Sequence, residues 1–167
     1  MQEEEQIVLS IIWKKKQFMV KKSKEMELAQ ELLLKTFSFL ENDYLYVPKF
    51  CVIDSAVFLE YGKLEYTNEI KKRIIDISYT KGSIDGEIKY TFSLSIVRNP
   101  YSSLGDMIAL NNFLASKNSD FDTRIYGEFE IHKVESILRK IADVLYTDLE
   151  DVIDGNVWYE TYYPKKD

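Results

Sequence analysis

The chain has 167 residues, 46% of them hydrophobic and 30% charged, and a formal net charge of −6. That length carries one domain with a core of its own, and that balance excludes wholesale disorder. A single cysteine, Cys51, and a single histidine, His132, exclude an internal disulfide and a four-ligand Cys/His zinc site, although carboxylate metal sites stay open.

Residues 1–22 join an acidic cap (Glu3, Glu4, Glu5), an apolar run over 7–13, and a basic patch of Lys14, Lys15, Lys16, Lys21 and Lys22 interleaved with Trp13 and Phe18. The run is too short to span a bilayer, and acids stand where a signal peptide carries positive charge, so a cytoplasmic protein without a membrane segment is expected. Lysines beside rings can meet nucleic-acid phosphates and bases, but an acidic domain repels that partner. The segment therefore reads as a peripheral first strand or short helix with a solvated lysine end, and nucleic acid is not an expected partner.

From Ser23 the period changes. Met26, Ala29, Leu33, Phe37 and Leu40 recur at intervals of three and four, Ser23 stands as N-cap, and Glu25 and Glu27 occupy the dipole-favoured first turn. This predicts a helix over residues 24–41, its stripe widened by Leu28, Leu32 and Leu34 to lie across a sheet. Residues 42–48 lead out, Pro48 opposing a further helical turn.

Three alternating runs follow. The first covers 57–66, with a bulge or turn at Gly62. The second covers 70–80 and sets Ile75, Ile77 and Tyr79 on one face against Ile74, Asp76 and Ser78 on the other. The third sets Ile88, Tyr90, Phe92, Leu94 and Ile96 against Glu87, Lys89, Thr91, Ser93 and Ser95, a strand with one dry and one wet face. Residues 81–86, with Gly82 and Gly86, form the hairpin loop between the last two, so the pairing is antiparallel.

Asn99-Pro100 ends the third strand. Ser103 then opens a second helix with Asp106 in the capping-box position and Leu104, Met107, Ile108 and Leu114 along one face. After a polar loop over 117–122, residues 124–130 form a short strand. Ile131, Val134, Leu138, Ile141 and Leu145 mark an amphipathic helix, and Thr147 with Glu150 fits the capping box of a short helix that Gly155 closes. Residues 157–163 alternate again as a final strand. The sum is a single α+β domain, a mainly antiparallel meander sheet with helices packed on one face.

Residues 120–154 hold ten acidic and four basic side chains, an excess equal to the whole net charge. Asp143, Asp148, Glu150, Asp151 and Asp154 gather at the boundary of the last two helices, next to Trp158, Tyr159 and Tyr162. Such a field draws basic surfaces toward it, and large amphipathic rings anchor interfaces, so these eight residues form the expected partner-binding surface. A solvated helix face is the competing reading.

Asp76 followed by Glu87-Ile88-Lys89 on the next strand resembles metal-dependent nucleases of the PD-(D/E)xK class. The resemblance implies that Asp76 and Glu87 hold a divalent cation and Lys89 aligns the attacking water. Cross-strand charge pairing is the competing reading, and no proline or extra acid precedes Asp76 as the fuller motif has. Cys51, inside Phe50-Cys51-Val52-Ile53, reads as a buried small hydrophobe, and His132 as a surface or half-buried side chain. With no glycine-rich phosphate loop, nucleophile elbow or dinucleotide fingerprint, neither a cofactor nor catalysis is expected.

The order helix, meander, helix, acidic helices, with Phe39-Leu40-Glu41-Asn42-Asp43-Tyr44 leading toward Val57-Phe58-Leu59-Glu60-Tyr61 and Ile75-Asp76-Ile77-Ser78-Tyr79, resembles small bacterial immunity proteins of polymorphic toxin systems over residues 30–98. The resemblance implies a protein that binds one toxin and occludes its active site, through the acids near Asp148 and the rings near Trp158. The same small, acidic α/β character also resembles type III secretion chaperones. That implies a dimer holding an extended effector segment in a groove between the wet sheet face and a helix.

Overall fold

The computed structural model describes residues 22–102 and 104–158. Ser23 caps the first helix as expected, its hydroxyl accepting from the Met26 N–H at 3.1 Å. Helix α1, Lys24–Thr36, buries Met26, Ala29 and Leu33. The expected single helix to residue 41 breaks at Phe37 and Ser38 and resumes as α2, Phe39–Asn42. The Ser38 hydroxyl donates to the Lys35 carbonyl at 3.0 Å, a local bond that competes with the helical ladder.

Among the described residues six strands form one antiparallel sheet: β1 Val47–Val52, β2 Glu60–Asn68, β3 Arg73–Ile84, β4 Glu87–Arg98, β5 Met107–Ala109 and β6 Arg124–Tyr126. The order is β1-β2-β3-β4, and β5 and β6 share the second edge of β4, β5 beside residues 95–97 and β6 beside residues 89–91. Among the described residues strand β1 is an edge of the sheet, where the sequence shows only an apolar run over residues 50–53. An edge tolerates Pro48, because its outer side needs no ladder partner. The first meander strand starts at Glu60, not at 57, since the Ser55 hydroxyl binds the N–H groups of Val57 and Phe58 and turns the chain there.

Gly62 makes no bulge. A Cβ built on it would stand 2.8 Å from Cζ of Phe50, so the glycine lets that neighbouring ring lie across the strand. The hairpin loop is only Asp85-Gly86, both at positive φ (52° and 83°), while Gly82 sits inside β3 opposite Lys89. Two central residues of that hand match the twist of the flanking strands, which is why each arm reaches twelve residues.

The dry face carries Leu64, Tyr66, Ile75, Ile77, Tyr79, Tyr90, Phe92, Leu94 and Ile96, all buried. Helix α1 and helix α4, Ile131–Thr147, cover it, with α4 burying Val134, Ile137, Leu138, Ile141 and Leu145. Each such aliphatic side chain stabilises the fold by about 1.5–3 kcal/mol relative to exposure.

The region after Pro100 departs from expectation. A single 3-10 turn, Leu104–Asp106, and strand β5 precede the helix α3, Leu110–Ser116. The Asp106 carboxylate accepts from Arg98 and from Ser102, and the turn it belongs to passes into a strand before any α-helix starts. The Thr147 capping box is not formed. Its hydroxyl donates to the Asp143 carbonyl of its own helix at 2.8 Å, and α5, Glu150–Ile153, starts without a side-chain cap. Gly155 does close α5, at φ 86°. Val157 and Trp158 lie in no strand, and the rest of that expected strand falls outside the described residues. Of the basic N-terminal patch only Lys22 is described; its ammonium donates to Gln30 at 2.5 Å and lies over the Phe50 ring. Among the described residues no helix is long and apolar enough to cross a membrane.

Candidate protein-binding surface

The end of α4 and the start of α5 are held against the segment that follows α2. The phenol of buried Tyr44 donates to Glu150 Oε1 at 2.9 Å, and that of Tyr46 donates to the Ile153 carbonyl at 2.7 Å. Burial, and then the Glu150 charge, push the Tyr44 phenol well above its ordinary pKa, so it remains a donor. Leu149, Val152 and Ile153 are fully buried beneath.

On this base the Phe39 ring meets Tyr146 edge-on, with centroids 5.9 Å apart, and Tyr44 at 6.3 Å. Tyr146 is 51% exposed, a large ring fixed from below and open above. Asp143, Asp148, Glu150 and Asp151 surround that end of the helix pair and are exposed, as is Asp43 beside Tyr44. Among the described residues no lysine, arginine or histidine is in salt-bridge reach of Asp43, Asp143, Asp148 or Asp151.

The other expected contact residues are placed differently. Asp154 forms an ion pair with Lys71 and accepts from Asn156 at 2.8 Å, and the Lys71 hydrogen bond holds its carboxyl below the usual range. Trp158 is half-buried. Its indole N–H donates to the Gly105 carbonyl at 2.8 Å, and the guanidiniums of Arg73 and Arg98 lie 4.9 and 5.3 Å from its ring. This tryptophan ties the C-terminal segment to the sheet and is not a free docking ring. Tyr159 and Tyr162 fall outside the described residues. Sequence reasoning missed Tyr146, although the signal existed: it follows Leu145, the last residue of the apolar stripe, and so stands off that stripe on the polar side.

The residues of the nuclease-like pattern are far apart. Asp76 pairs with Ser95, Lys89 with Gly82 and Glu87 with Ile84, which sets Asp76 eight ladder steps from Glu87, roughly 25 Å along the sheet. Among the described residues no group of three His, Cys, Asp or Glu side chains could hold a metal ion. Cys51 is partly buried with a free thiol, and the His132 side chain is almost wholly exposed, 3.6 Å from Glu135.

Asp76 instead belongs to a charge cluster on the polar sheet face. Lys63 lies 2.9 Å from Glu65 and 3.3 Å from both carboxylate oxygens of Asp76. Beside them the hydroxyls of Ser78 and Ser93 are 2.5 Å apart, and Leu110 and Asn111 of α3 close a pocket of about 340 Å³. Asp76 Oδ1 is sealed from solvent and accepts no hydrogen bond among the described residues. Burial therefore raises the Asp76 pKa, and the attraction of Lys63 only partly opposes it. A raised native pKa means that this carboxyl supports folding fully below its unfolded value, about 3.9, and withdraws that support as pH rises through the native value. Asp76→Asn should accordingly raise stability at neutral pH, with the gain shrinking near pH 4. Thermal melts of both proteins across that range check it, and an equal or larger gain in acid would contradict it.

No known protein family, no curated protein and no solved structure matches the chain.

Proposed function

We propose that the protein is a non-catalytic binding module of the immunity or antitoxin type, docking a basic protein partner on the acidic surface around Tyr146. The observation that carries this reading is the exposed Tyr146 ring, fixed on Phe39 and flanked by Asp143, Asp148 and Asp151, none of them paired with a described cation. A rigid ring gives up little conformational freedom on contact, and the surrounding carboxylates steer and orient a cationic surface. A toxin that acts on nucleic acid presents such a surface, because it must hold phosphates. A cytoplasmic location suits the free thiol of Cys51.

The test is retention of a partner from an extract of the source cells by the immobilised full-length protein. Tyr146→Ala should weaken that retention by about 2 kcal/mol, as loss of a central anchor does, with the melting temperature nearly unchanged. Undiminished retention removes Tyr146 from the surface. Metal-dependent cleavage of DNA or RNA by the pure protein, abolished in Glu87→Ala, would overturn the non-catalytic reading outright.

A further inference from the structure

At the end of the β3–β4 pair opposite the hairpin lies a cleft of about 770 Å³ whose lining includes Lys71, Lys72, Arg73 and Arg98. Among the described residues two carboxylates line it, Asp106 and Asp154, so these side chains give the cleft an excess of two positive charges in a chain whose net charge is −6. The register creates this excess by setting Arg73 directly opposite Arg98. Asp106 answers Arg98, and Lys71 takes Asp154.

Arg73 has no anionic partner among the described residues. It is 6% exposed, and its four hydrogen bonds all go to carbonyls, of Lys71, Lys72, Val152 and Val157. Carbonyl dipoles solvate a guanidinium without cancelling its charge, and a buried unbalanced charge is costly. Burial and the neighbouring Arg98 both pull the Arg73 pKa downward, the expected mark of a cation short of a counter-charge. Lys72 is exposed, at φ 53°, and makes no salt bridge among the described residues. A guanidinium has five N–H donors. Arg73 spends four of its five inside the protein, and Arg98 Nη1 donates to none of the described residues.

We propose that this cleft binds a phosphate-type oxyanion, whose two charges match the excess of two cations and whose oxygens accept the N–H groups that Arg98 and Arg73 leave unused. Lys72 closes the site from the solvent side as a point charge. The Trp158 ring, already in contact with both guanidiniums, reports on occupancy.

The experiment titrates full-length protein carrying Trp13→Phe with inorganic phosphate at neutral pH, at an ionic strength held constant with chloride, following Trp158 emission and, independently, the heat of binding. A saturable response is expected. Lys72→Asn removes the charge with a side chain that accepts positive φ, and should weaken binding about threefold to fivefold. Lys89→Asn, nine residues along β4 from Arg98 and roughly 30 Å away, should leave binding unchanged. Methyl phosphate distinguishes the source: binding as tight as phosphate marks a site for a phosphomonoester, and weaker binding marks one for the free anion. No saturation by either readout, or equal weakening by Lys72→Asn and Lys89→Asn, would overturn the proposal.

Discussion

Replacing Asp106 with alanine should lower the unfolding free energy by about 2–3 kcal/mol, because it takes the charged acceptor from Ser102 and from the partly exposed Arg98, which lies opposite Arg73. Asp106 is 2% exposed and accepts from Arg98 Nε at 2.8 Å, from the Ser102 N–H at 2.9 Å and from the Ser102 hydroxyl at 2.6 Å. One carboxylate thus holds the end of β4 and the turn into β5 together while it halves the charge of the arginine pair. Asp106→Asn keeps the shape and one acceptor oxygen, so its loss should fall between alanine and the parent. Urea unfolding of the three proteins gives the order, and a loss below about 1 kcal/mol for alanine would mean that solvent replaces the carboxylate without cost.

Arg73→Leu should cost about 3 kcal/mol for a different reason. The leucine suits the buried position, but four carbonyls lose their donor at once: Val152 at the end of α5, Val157 beyond it, and Lys71 and Lys72 before β3. Those bonds and the contact with Trp158 bind the C-terminal segment to the sheet. In a Trp13→Phe background, Trp158 emission should shift to the red as the ring gains water. Parent-like emission with stability within about 1 kcal/mol would show that the segment is held by α5 packing alone.

The sheet was legible in the sequence wherever one face is dry and the other polar, since a period of two survives any tertiary context that keeps a strand at the surface of a core. Ile75, Ile77 and Tyr79 opposite Ile96, Leu94 and Phe92 follow directly from that alternation. Asp85-Gly86 was a sharper turn signal than the six-residue loop assigned to it, because only these two residues adopt positive φ. The stretch after Pro100 was not legible. The helical spacing of Leu104, Met107 and Ile108 carries no sign that Arg98, at the end of β4, draws Asp106 to the sheet and that residues 107–109 pair with β4 as a strand.

The candidate site shows the same division. The acidic end survives as a surface at Asp143, Asp148 and Asp151 because the helix spacing that exposes them is local. Asp154 and Trp158 belong to the same stretch in the sequence yet are engaged within the fold, since their partners Lys71, Arg73 and Arg98 lie 60 to 85 residues earlier. Composition gathered the charges correctly, but only the chain path shows which are already answered.

The most direct test of the account is the rate at which a partner captured by this protein associates with it as salt is varied. For the parent the rate should fall steeply as ionic strength rises, and Asp148→Lys with Asp151→Lys should slow it by about tenfold or more at low salt while the two proteins converge near 1 M. Equal rates at low salt, with the fold intact, would contradict a docking surface at that end of the molecule.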